Sequence, residues 1–351
     1  MNIIILVLLV FACIGMIDKM LGNRLGLAKA FDTGLTTMGN LCFSMVGIYC
    51  GAITLVEKSD GFLSYISKLP IDASLFIGSI LAPDLGGYPL AVGVSQISSI
   101  GQFSGILVSS MLGCLISFVL PLSLGMLPKK EHRSYLEGVV WGIVSLPFGL
   151  IPGGILLGMN GIELITGMLP ILIICAILIL LLRYMPQKTL QGMTILGKVV
   201  TSIGTILFGV VVWSVFLPNN AIFSLSLVGE ALIVVIKITF VICGSLVINA
   251  ILMRYGKGFF QIAASKLKVN EQSIMGLLIS FATSISMLGM YANMDELGKK
   301  MNAAFSVGGA FCLGGQLAYI AAISTSRGVL AYLVCKMVCG ISSVLLVKRF
   351  G

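Results

Sequence analysis

The stretch 78-GSILAPDLGGYPLA-91 begins like a membrane helix and then places Pro83, Asp84 and the pair Gly86-Gly87 within five residues. Proline and paired glycines interrupt helices, and an ionised carboxylate at a helix centre in a bilayer costs at least about 2.5 kcal/mol. Irregular backbone at membrane depth occurs where it is buried in protein or lines a cavity. The stretch therefore predicts a helix break that borders a cavity.

The composition around this stretch is that of a chain that crosses a membrane many times. Of its 351 residues, 58% are hydrophobic and 10% are charged, and the mean hydropathy is +1.10. Because a spanning helix needs about 20 residues, the chain has room for roughly ten to eleven membrane segments with short loops. We expect an all-α polytopic protein of the lipid bilayer, whose function lies within the membrane.

Charge and motifs exclude several other classes. The net charge of +9 comes mostly from loops, as the positive-inside rule predicts, so we expect no nucleic-acid partner. The nine cysteines lack metal-ligand spacing, and the single histidine, His132, lies in a basic loop. Without catalytic motifs we expect no enzyme, no cofactor and no metal. The apolar N-terminal run lacks the features of a signal peptide and is interpreted as the first span.

Apolar segments of sufficient length predict about nine full spans. They lie at 2–17, 34–56, 104–127, 135–158, 162–183, 193–216, 229–252, 303–325 and 328–347. Two further regions, 72–103 and 270–302, begin apolar and then turn polar. Neither has the pattern of a simple span.

The two irregular regions resemble each other. The segment 67-SKLPIDASLFIG-78 aligns without gaps on 265-SKLKVNEQSIMG-276, an offset of 198 residues, and the same offset places Gly142 on Gly340. One offset in two distant pieces predicts an internal duplication. Apolar sequence also aligns easily with itself, so a chance match stays open.

Loop charges predict how the halves are oriented. All the basic loops lie on one side of the membrane only if 72–103 and 270–302 each leave and return on the same face, as re-entrant hairpins. The prediction is then a first repeat at 1–160, a linker helix at 161–192 and an inverted second repeat at 193–351. The N-terminus lies outside and the C-terminus inside. Inverted repeats with broken helices are typical of secondary transporters, whose substrates bind near the midplane.

The first hairpin tip supplies Asp84, Gly86, Gly87 and Tyr88 as candidate substrate-binding residues. Asp84 suits a cationic substrate or a coupling ion, because intramembrane carboxylates usually face a cavity or a partner. The alternative is a structural Asp that caps the next half-helix. An aromatic face at Tyr88 can meet an ammonium group, although tyrosine is also common at membrane interfaces.

The matching region of the second hairpin supplies three short hydroxyls, Thr283, Ser284 and Ser286. Such side chains can bond either a small polar ligand or the backbone that a helix break frees, and both interpretations stay open. Tyr291 follows them, as Tyr88 follows Asp84. Its aromatic face is a weaker candidate for an ammonium group.

Several polar residues stand alone in apolar surroundings. Asn40 and Gln316 are candidate donors or acceptors in the cavity. Lys237 and Lys336 are predicted charge partners of an intramembrane acid such as Asp84 or Asp295, with a structural or a transport role left open. For Asp295 and its neighbours Glu296, Lys299 and Lys300, the simpler interpretation is a solvated, ion-paired helix end.

Two long motifs resemble those of a known protein family. The segments 76-FIGSILAPDLGGYPLA-91 and 277-LLISFATSISMLGMYANMDELGKKMNAAFSVGGAFCLGG-315 closely resemble the EutH family, the permeases of bacterial ethanolamine utilisation operons. The similarity extends over nearly the whole chain. It implies a bacterial inner-membrane protein that takes up ethanolamine, a small cation with a hydroxyl, for an ammonia-lyase in a microcompartment.

The resemblance also carries individual residues. The family's Asp-x-Gly-Gly element matches Asp84, Gly86 and Gly87, its Met-Asp pair matches Met294 and Asp295, and a Lys in the last helix matches Lys336. The chain departs from the family where an Asn-Asn pair is replaced by Thr283-Ser284, and where Gly-Asp-His is replaced by Gly314-Gly315-Gln316. If these positions contact substrate, another small amine becomes an alternative ligand.

The sequence thus predicts an ethanolamine transporter or facilitator with its substrate between the two hairpin tips. Asp84 would be the ammonium counter-ion, and Thr283, Ser284 and Gln316 would bind the hydroxyl. Paired hairpins suggest an elevator-like movement. A channel or carrier for another small amine or cation is the alternative, and ion coupling and a homo-oligomer stay open.

Overall fold

The protein is described here by a computed structural model, which defines residues 3–58 and 71–351 of the chain. All regular structure in these ranges is helical, which confirms the all-α prediction for them. The α-helices are α1 Ile3–Met20, α2 Ala28–Leu41, α3 Gly47–Lys58, α4 Ala73–Ile80, α5 Gly87–Val94, α6 Ser98–Gln102, α7 Leu120–Met126, α8 His132–Leu157, α9 Gly161–Tyr184, α10 Pro186–Phe216, α11 Leu225–Tyr255, α12 Lys257–Leu267, α13 Glu271–Ala282, α14 Ser284–Leu288, α15 Glu296–Gly308, α16 Gly315–Ile323 and α17 Ser326–Phe350.

Side-chain caps fix where several helices begin, because the first N–H groups of a helix have no intrahelical acceptor. Asp72 accepts a hydrogen bond from Ser74 N at the start of α4, and Asn270 accepts one from Ser273 N at the start of α13. Asn160 forms a reciprocal capping box with Glu163 at the start of α9. The caps of α4 and α13 matter most, because helices of eight and twelve residues gain little stability from their own length.

Within the described ranges, six helical segments are long and apolar enough to cross a membrane, so the chain is a multi-pass membrane protein. They coincide with six of the predicted spans, while α1 and the continuous helix 28–58 cover the spans predicted at 2–17 and 34–56. The count of nine spans and the re-entrant hairpins stay predictions. The six segments are Ser98–Met126, Lys129–Leu157, Gly161–Tyr184, Pro186–Phe216, Leu225–Tyr255 and Ser326–Phe350.

The prediction of one uninterrupted helical span at 303–325 is wrong. The chain leaves the helix after Gly308 and resumes it at Gly315, so a non-helical turn separates α15 from α16. Glycines flank this turn, and Phe311 within it has a left-handed backbone with φ of 61°. The predicted hairpin ends at 103 and 302 are also displaced, because new helices begin earlier, at Ser98 and Glu296.

The long helix that begins at Ser98 is wider than an α-helix over part of its length. Phe103–Gly113 and Leu115–Val119 are π-helical, with hydrogen bonds that reach one residue further along the chain than in an α-helix. The segment 103–113 is buried throughout. This π-helical segment packs against α4 and α5, the two short helices that flank the break at Pro83.

The chain folds into two compact units, each built from segments of both predicted repeats. The first comprises Met1–Thr37, Leu122–Gly149 and Lys237–Gly351. In this unit a core cluster formed around Met301 and Phe305 includes residues of α12, α13 and α17. Because the repeats are defined along the sequence and the units in space, this division leaves the predicted repeats untested.

The second unit comprises Met38–Pro121 and Leu150–Ile236 and is packed through glycines. A Cβ atom added at Gly47 would lie 2.3 Å from Phe208 N, and one added at Gly78 would lie 2.5 Å from Ser104 O. Both distances are far below van der Waals contact. Helices α3 and α10, and likewise α4 and the π-helical segment, therefore approach each other at backbone distance.

Asp18 is a buried carboxylate that the sequence analysis did not single out, since it follows the first predicted span. It is 1% exposed and accepts hydrogen bonds from the backbone N–H groups of Leu25, Leu27 and Ala28 at 2.6, 2.8 and 3.2 Å. Burial by itself raises the pKa of the Asp18 carboxyl, but these hydrogen bonds outweigh it, and the net pKa lies below its usual value. Asp18 fixes the turn that leads into α2.

Candidate functional site

The first helix break, residues 81–86, lies in the second unit and is the one that the opening motif predicted. Pro83 begins a short 3-10 turn, and Gly86 ends it in a left-handed conformation with φ of 87°. Ala82 O accepts hydrogen bonds from both Leu85 N and Gly87 N at 3.0 Å. The turn therefore has a defined geometry.

Neighbouring segments enclose the backbone groups that the first break frees. Ala82 N donates to Ser117 Oγ at 3.3 Å, and Ser117 lies in the π-helical part of the chain. A Cβ atom at Gly87 would lie 2.5 Å from Leu81 O, and one at Gly113 would lie 2.2 Å from the same oxygen. Only glycine fits at these two positions, so Gly87 has a structural reason to be present, independent of any ligand.

Asp84 lies in the middle of the 3-10 turn and is half-buried. The N-cap of the following helix α5 is Gly86, which has no side chain, so Asp84 is not the cap residue of that half-helix. Tyr88 is half-buried in the first turn of α5, where it packs against Gly105, whose added Cβ would lie 3.1 Å from Tyr88 Cα. The first break thus combines a carboxylate and an aromatic ring.

The second break is the single extended residue Thr283, in the first unit. Thr283 Oγ1 accepts a hydrogen bond from Ile285 N at 3.3 Å and so caps α14, which supports the structural interpretation of this hydroxyl. Ser284 is 3% exposed. The side chains of Ser286 and of Asn40 lie outside what the structure describes, although both residues are in helices.

The third break, residues 309–314, was missed as a break by the sequence analysis. Phe311 N donates to Ser280 O at 2.9 Å and Leu313 N donates to Phe281 O at 2.8 Å, so the break uses the free carbonyls at the end of α13. A Cβ atom at Gly314 would lie 2.0 Å from Ala282 O. The second and third breaks therefore form one continuous structure in the first unit.

Lys336 holds the third break in place. The residue is 1% exposed, and its Nζ donates to Ala310 O at 2.6 Å. The same ammonium lies 5.5 Å from the ring centroid of Tyr332 and 6.0 Å from that of Phe311, within the range of cation–π attraction. Tyr332 Oη also donates to Phe311 O at 2.8 Å. The structure therefore gives Lys336 a backbone carbonyl and two aromatic faces, and its pairing with an intramembrane acid stays a prediction.

Gln316 presents an acceptor at the start of α16, directly after the third break. The residue is 5% exposed, and its Oε1 is buried without a hydrogen-bond donor in the described part of the chain. Ser280 Oγ, on the segment that the third break contacts, is likewise buried without a partner there. Because an unsatisfied buried polar atom is costly, such atoms require an explanation, and a bound polar ligand is one.

Two further polar residues of the first unit, Asp295 and Tyr291, have partners that the sequence did not indicate. Asp295 Oδ1 accepts hydrogen bonds from Asn270 N at 3.0 Å and Ser273 Oγ at 2.8 Å, so it joins the starts of α13 and α15. Its role as a charge partner of a lysine stays a prediction. Tyr291 is fully buried against the ring of Tyr135, with centroids 5.6 Å apart, and its face is not open to a ligand. Lys237 lines a separate cavity.

The ion-paired helix end predicted around Lys299 exists but is partly buried. Lys299 Nζ lies 2.7 Å from Glu131 and 3.1 Å from Glu296, and the side chains of Lys299 and Glu131 are each 8% exposed. Ser134 Oγ donates to Glu296 at 2.6 Å. The single acid in the basic loop 128-PKKEHR-133 was the sequence signal for this pair.

Comparison with known proteins identifies the family. A family model described as "Ethanolamine utilisation protein, EutH" matches residues 1–349. The chain belongs to the EutH family. This confirms the resemblance that the sequence motifs predicted.

Relatives in this family match over almost their whole length. A probable ethanolamine permease EutH of Listeria monocytogenes is 33% identical, over 98% of this chain and 92% of the relative. One of Salmonella typhimurium with the same name is 27% identical, over 98% and 93%. The uncharacterized protein YxeR of Bacillus subtilis is 30% identical, over 91% and 86%. No solved structure matches the chain.

Membership of a permease family points to a transporter rather than an enzyme. The three breaks then become candidate substrate-contacting backbone, because broken helices in transporters place free backbone groups at the ligand. Of the predicted site residues, Thr283, Ser284 and Gln316 lie at the connected second and third breaks, and Asp84, Gly86, Gly87 and Tyr88 lie at the first.

Proposed function

We propose that this protein transports ethanolamine across the bacterial inner membrane, as a secondary transporter or facilitator. Family membership and the relatives named as probable ethanolamine permeases support this substrate. The structural observation that carries the proposal is the buried Gln316 Oε1, an acceptor without a described donor. Ethanolamine is rich in donors, with three ammonium N–H groups and one O–H.

Gln316 is the proposed partner of the substrate hydroxyl. The start of a helix presents backbone N–H groups and partial positive charge, which disfavour an ammonium group but suit a hydroxyl oxygen. A hydroxyl placed there can accept from a backbone N–H and donate to Gln316 Oε1. Ser280 Oγ and the buried Ser284 are further polar groups on the adjoining segments.

Asp84 is the proposed counter-ion of the substrate ammonium. A half-buried carboxylate on a broken helix stays accessible while its charge is poorly solvated, which favours a cation as its partner. Gly86 has no role in substrate selectivity in this proposal, because its left-handed backbone conformation already explains why a glycine is present there.

The proposal includes inverted repeats with re-entrant hairpins. The offset of 198 residues takes the first residue of α4, Ala73, to that of α13, Glu271, and takes Ser98, where α6 begins, to Glu296, where α15 begins. It also takes the cap residue Asp72 to the cap residue Asn270. Helices α4 and α5 have eight residues each, about 12 Å, and are too short to cross a hydrocarbon core of about 30 Å.

The experiment is uptake of labelled ethanolamine into proteoliposomes that contain wild type, Asp84→Asn or the control Asp32→Asn. Asp32 pairs with Lys19 on the surface, with a side chain that is 45% exposed, so its loss should change little. We expect saturable uptake by the wild type and the control, and a loss of at least about tenfold with Asp84→Asn. Normal uptake by a folded Asp84→Asn protein would exclude the counter-ion role.

The same assay separates the alternatives. A carrier saturates with ethanolamine, whereas a channel for small amines or cations gives unsaturated flux and measurable current. Competition with choline and other small amines tests whether the replacement of the family's Asn-Asn pair by Thr283-Ser284 alters selectivity. If wild type transports another amine in preference, the transporter class stands and the substrate is revised.

A further inference from the structure

The first unit contains a cavity whose chemistry does not suit the proposed substrate. Its volume is about 420 Å³, within the usual range of ligand pockets. Residues of α1, α11, α16 and α17 line it, and most of them are alanine or aliphatic, such as Leu9, Val241 and Ala318. The polar lining residues are Lys237, Ser324 and Ser326.

The charge of the cavity is positive. Among the described lining residues, Lys237 is the only one with a charge, and no described carboxylate forms an ion pair with it. Lys237 lies well inside α11, a helix long and apolar enough to cross the membrane. An ammonium group at such a position usually has an anionic partner. A second amine, such as ethanolamine, would be repelled here.

The end of the cavity formed by Ser324 and Ser326 also favours an anion. Ser326 is the first residue of α17, a helix of 25 residues, and Thr325 caps it by accepting from Gly328 N at 3.3 Å. The start of a long helix carries partial positive charge. The hydroxyls of Ser324 and Ser326 can donate to an anionic oxygen. Lysine, two hydroxyls and a helix start together form a phosphate-compatible set next to apolar walls.

We propose that this cavity binds an anionic phospholipid, with the headgroup phosphate at Lys237, Ser324 and Ser326 and an acyl chain along the apolar walls. The helices that line the cavity also present exposed apolar side chains, such as Leu6, Val10 and Leu330, which suit contact with lipid. A free anion would use the polar groups but leave the walls without a partner. Basic pockets between membrane helices are known to bind lipid headgroups in other proteins.

The test is native mass spectrometry of the purified full-length protein equilibrated with phosphatidylglycerol or phosphatidylcholine. The variants are Lys237→Gln, which keeps the side chain polar and removes its charge, and the matched control Lys198→Gln, an exposed lysine of the apolar helix α10. We expect Lys237→Gln to weaken phosphatidylglycerol binding about fivefold, the effect of one basic residue near an anionic lipid surface, and to leave phosphatidylcholine unchanged. Lys198→Gln should bind both lipids as the wild type does.

Three outcomes would overturn the proposal. The first is normal phosphatidylglycerol binding by Lys237→Gln, and the second is an equal loss in both lysine variants. The third is displacement of the lipid by excess inorganic phosphate, which would identify a site for free anions. If Lys237→Gln does not yield folded protein, Ala322→Leu narrows the cavity and keeps the charge. Phosphatidylglycerol binding that survives this narrowing unchanged would contradict the proposal equally.

Discussion

A buried amide oxygen without a donor destabilises the empty protein, and Gln316 allows this to be measured. Leaving a buried acceptor unsatisfied costs about 1–3 kcal/mol. Gln316→Met has nearly the same shape and removes the acceptor, so we expect the Tm of the substrate-free protein to rise by about 2–4 °C. The KM for ethanolamine should rise about two- to tenfold, because one hydrogen bond is lost.

The control for this prediction is Gln261→Met on α12, an exposed residue whose replacement should alter neither quantity. Thermal unfolding in detergent and uptake kinetics check the two variants. A Gln316→Met protein with a lower Tm and an unchanged KM would assign the glutamine a purely structural role.

The hydrogen bonds of Asp18 predict that the turn before α2 loses stability in acid. Its pKa is lower in the folded than in the unfolded protein, so the stabilisation is complete above the ordinary value of 3.8 and disappears as the pH falls through the folded pKa. Tm measured from pH 7 down to pH 3 should therefore fall below pH 4 in the wild type. Asp18→Asn should have a lower Tm at pH 7 and a flatter curve. Parallel curves for the two proteins would contradict this account.

At the scale of elements, the contact between the third break and the end of α13 depends on glycine. In Gly314→Ala the new Cβ would lie 2.0 Å from Ala282 O, a backbone atom that cannot move away cheaply. We expect a loss of about 1–3 kcal/mol or more in the free energy of unfolding. The matched control is Gly209→Ala in the middle of α10, where nothing lies within 4 Å.

The control should be neutral or stabilising by about 0.4–1 kcal/mol, because alanine restricts the unfolded chain. Thermal unfolding of both variants provides the measurement. Equal Tm values would show that the third break relaxes to accept a side chain and is less tightly packed than its geometry indicates.

The three breaks differ in how well sequence could predict them. The first break could be predicted from Pro83 and Gly86, because proline and glycine each interrupt a helix through their own backbone properties. The third break has glycines at both ends, but glycine pairs are common in unbroken membrane helices, where they serve helix packing. Its backbone groups are satisfied by Ser280 and Phe281, which are distant in sequence. No local pattern reveals such a partner.

The same limit applies to side chains. The sequence marked Gln316 as a polar residue in apolar surroundings, but only the fold distinguishes an unpaired acceptor from a satisfied one. Lys336 is buried, as its apolar surroundings in the sequence indicated. Its hydrogen bond to Ala310 O was not predicted, because the break that frees this carbonyl was not predicted. Asp295 similarly has backbone and serine donors where a lysine was expected.

At the scale of the whole molecule, the proposed topology places the N-terminus outside and the C-terminus inside. The basic tail 347-VKRFG-351 and the loop 128-PKKEHR-133 should then face the cytoplasm. We expect a C-terminal green fluorescent protein fusion to fluoresce and an alkaline phosphatase fusion after Asn220 to be active. A phosphatase fusion after Gly256 should be inactive. The reverse pattern would require the opposite orientation, and activity at both phosphatase positions would exclude the nine-span prediction.

The π-helical stretch Phe103–Gly113 has a consequence for how genes of this family can vary in length. Its hydrogen bonds reach five residues back, so an in-frame deletion of one codon there would let the segment rewind as an ordinary α-helix. Because a π-helical turn contains more residues than an α-helical turn, rewinding would change the directions in which the side chains of this segment point. Ser117 would leave Ala82 N, and the first break would lose its neighbour although no residue of the break had changed. A deletion of one codon at this place would therefore alter the first break from a distance, through Ser117, which lies 35 residues from Ala82 along the chain.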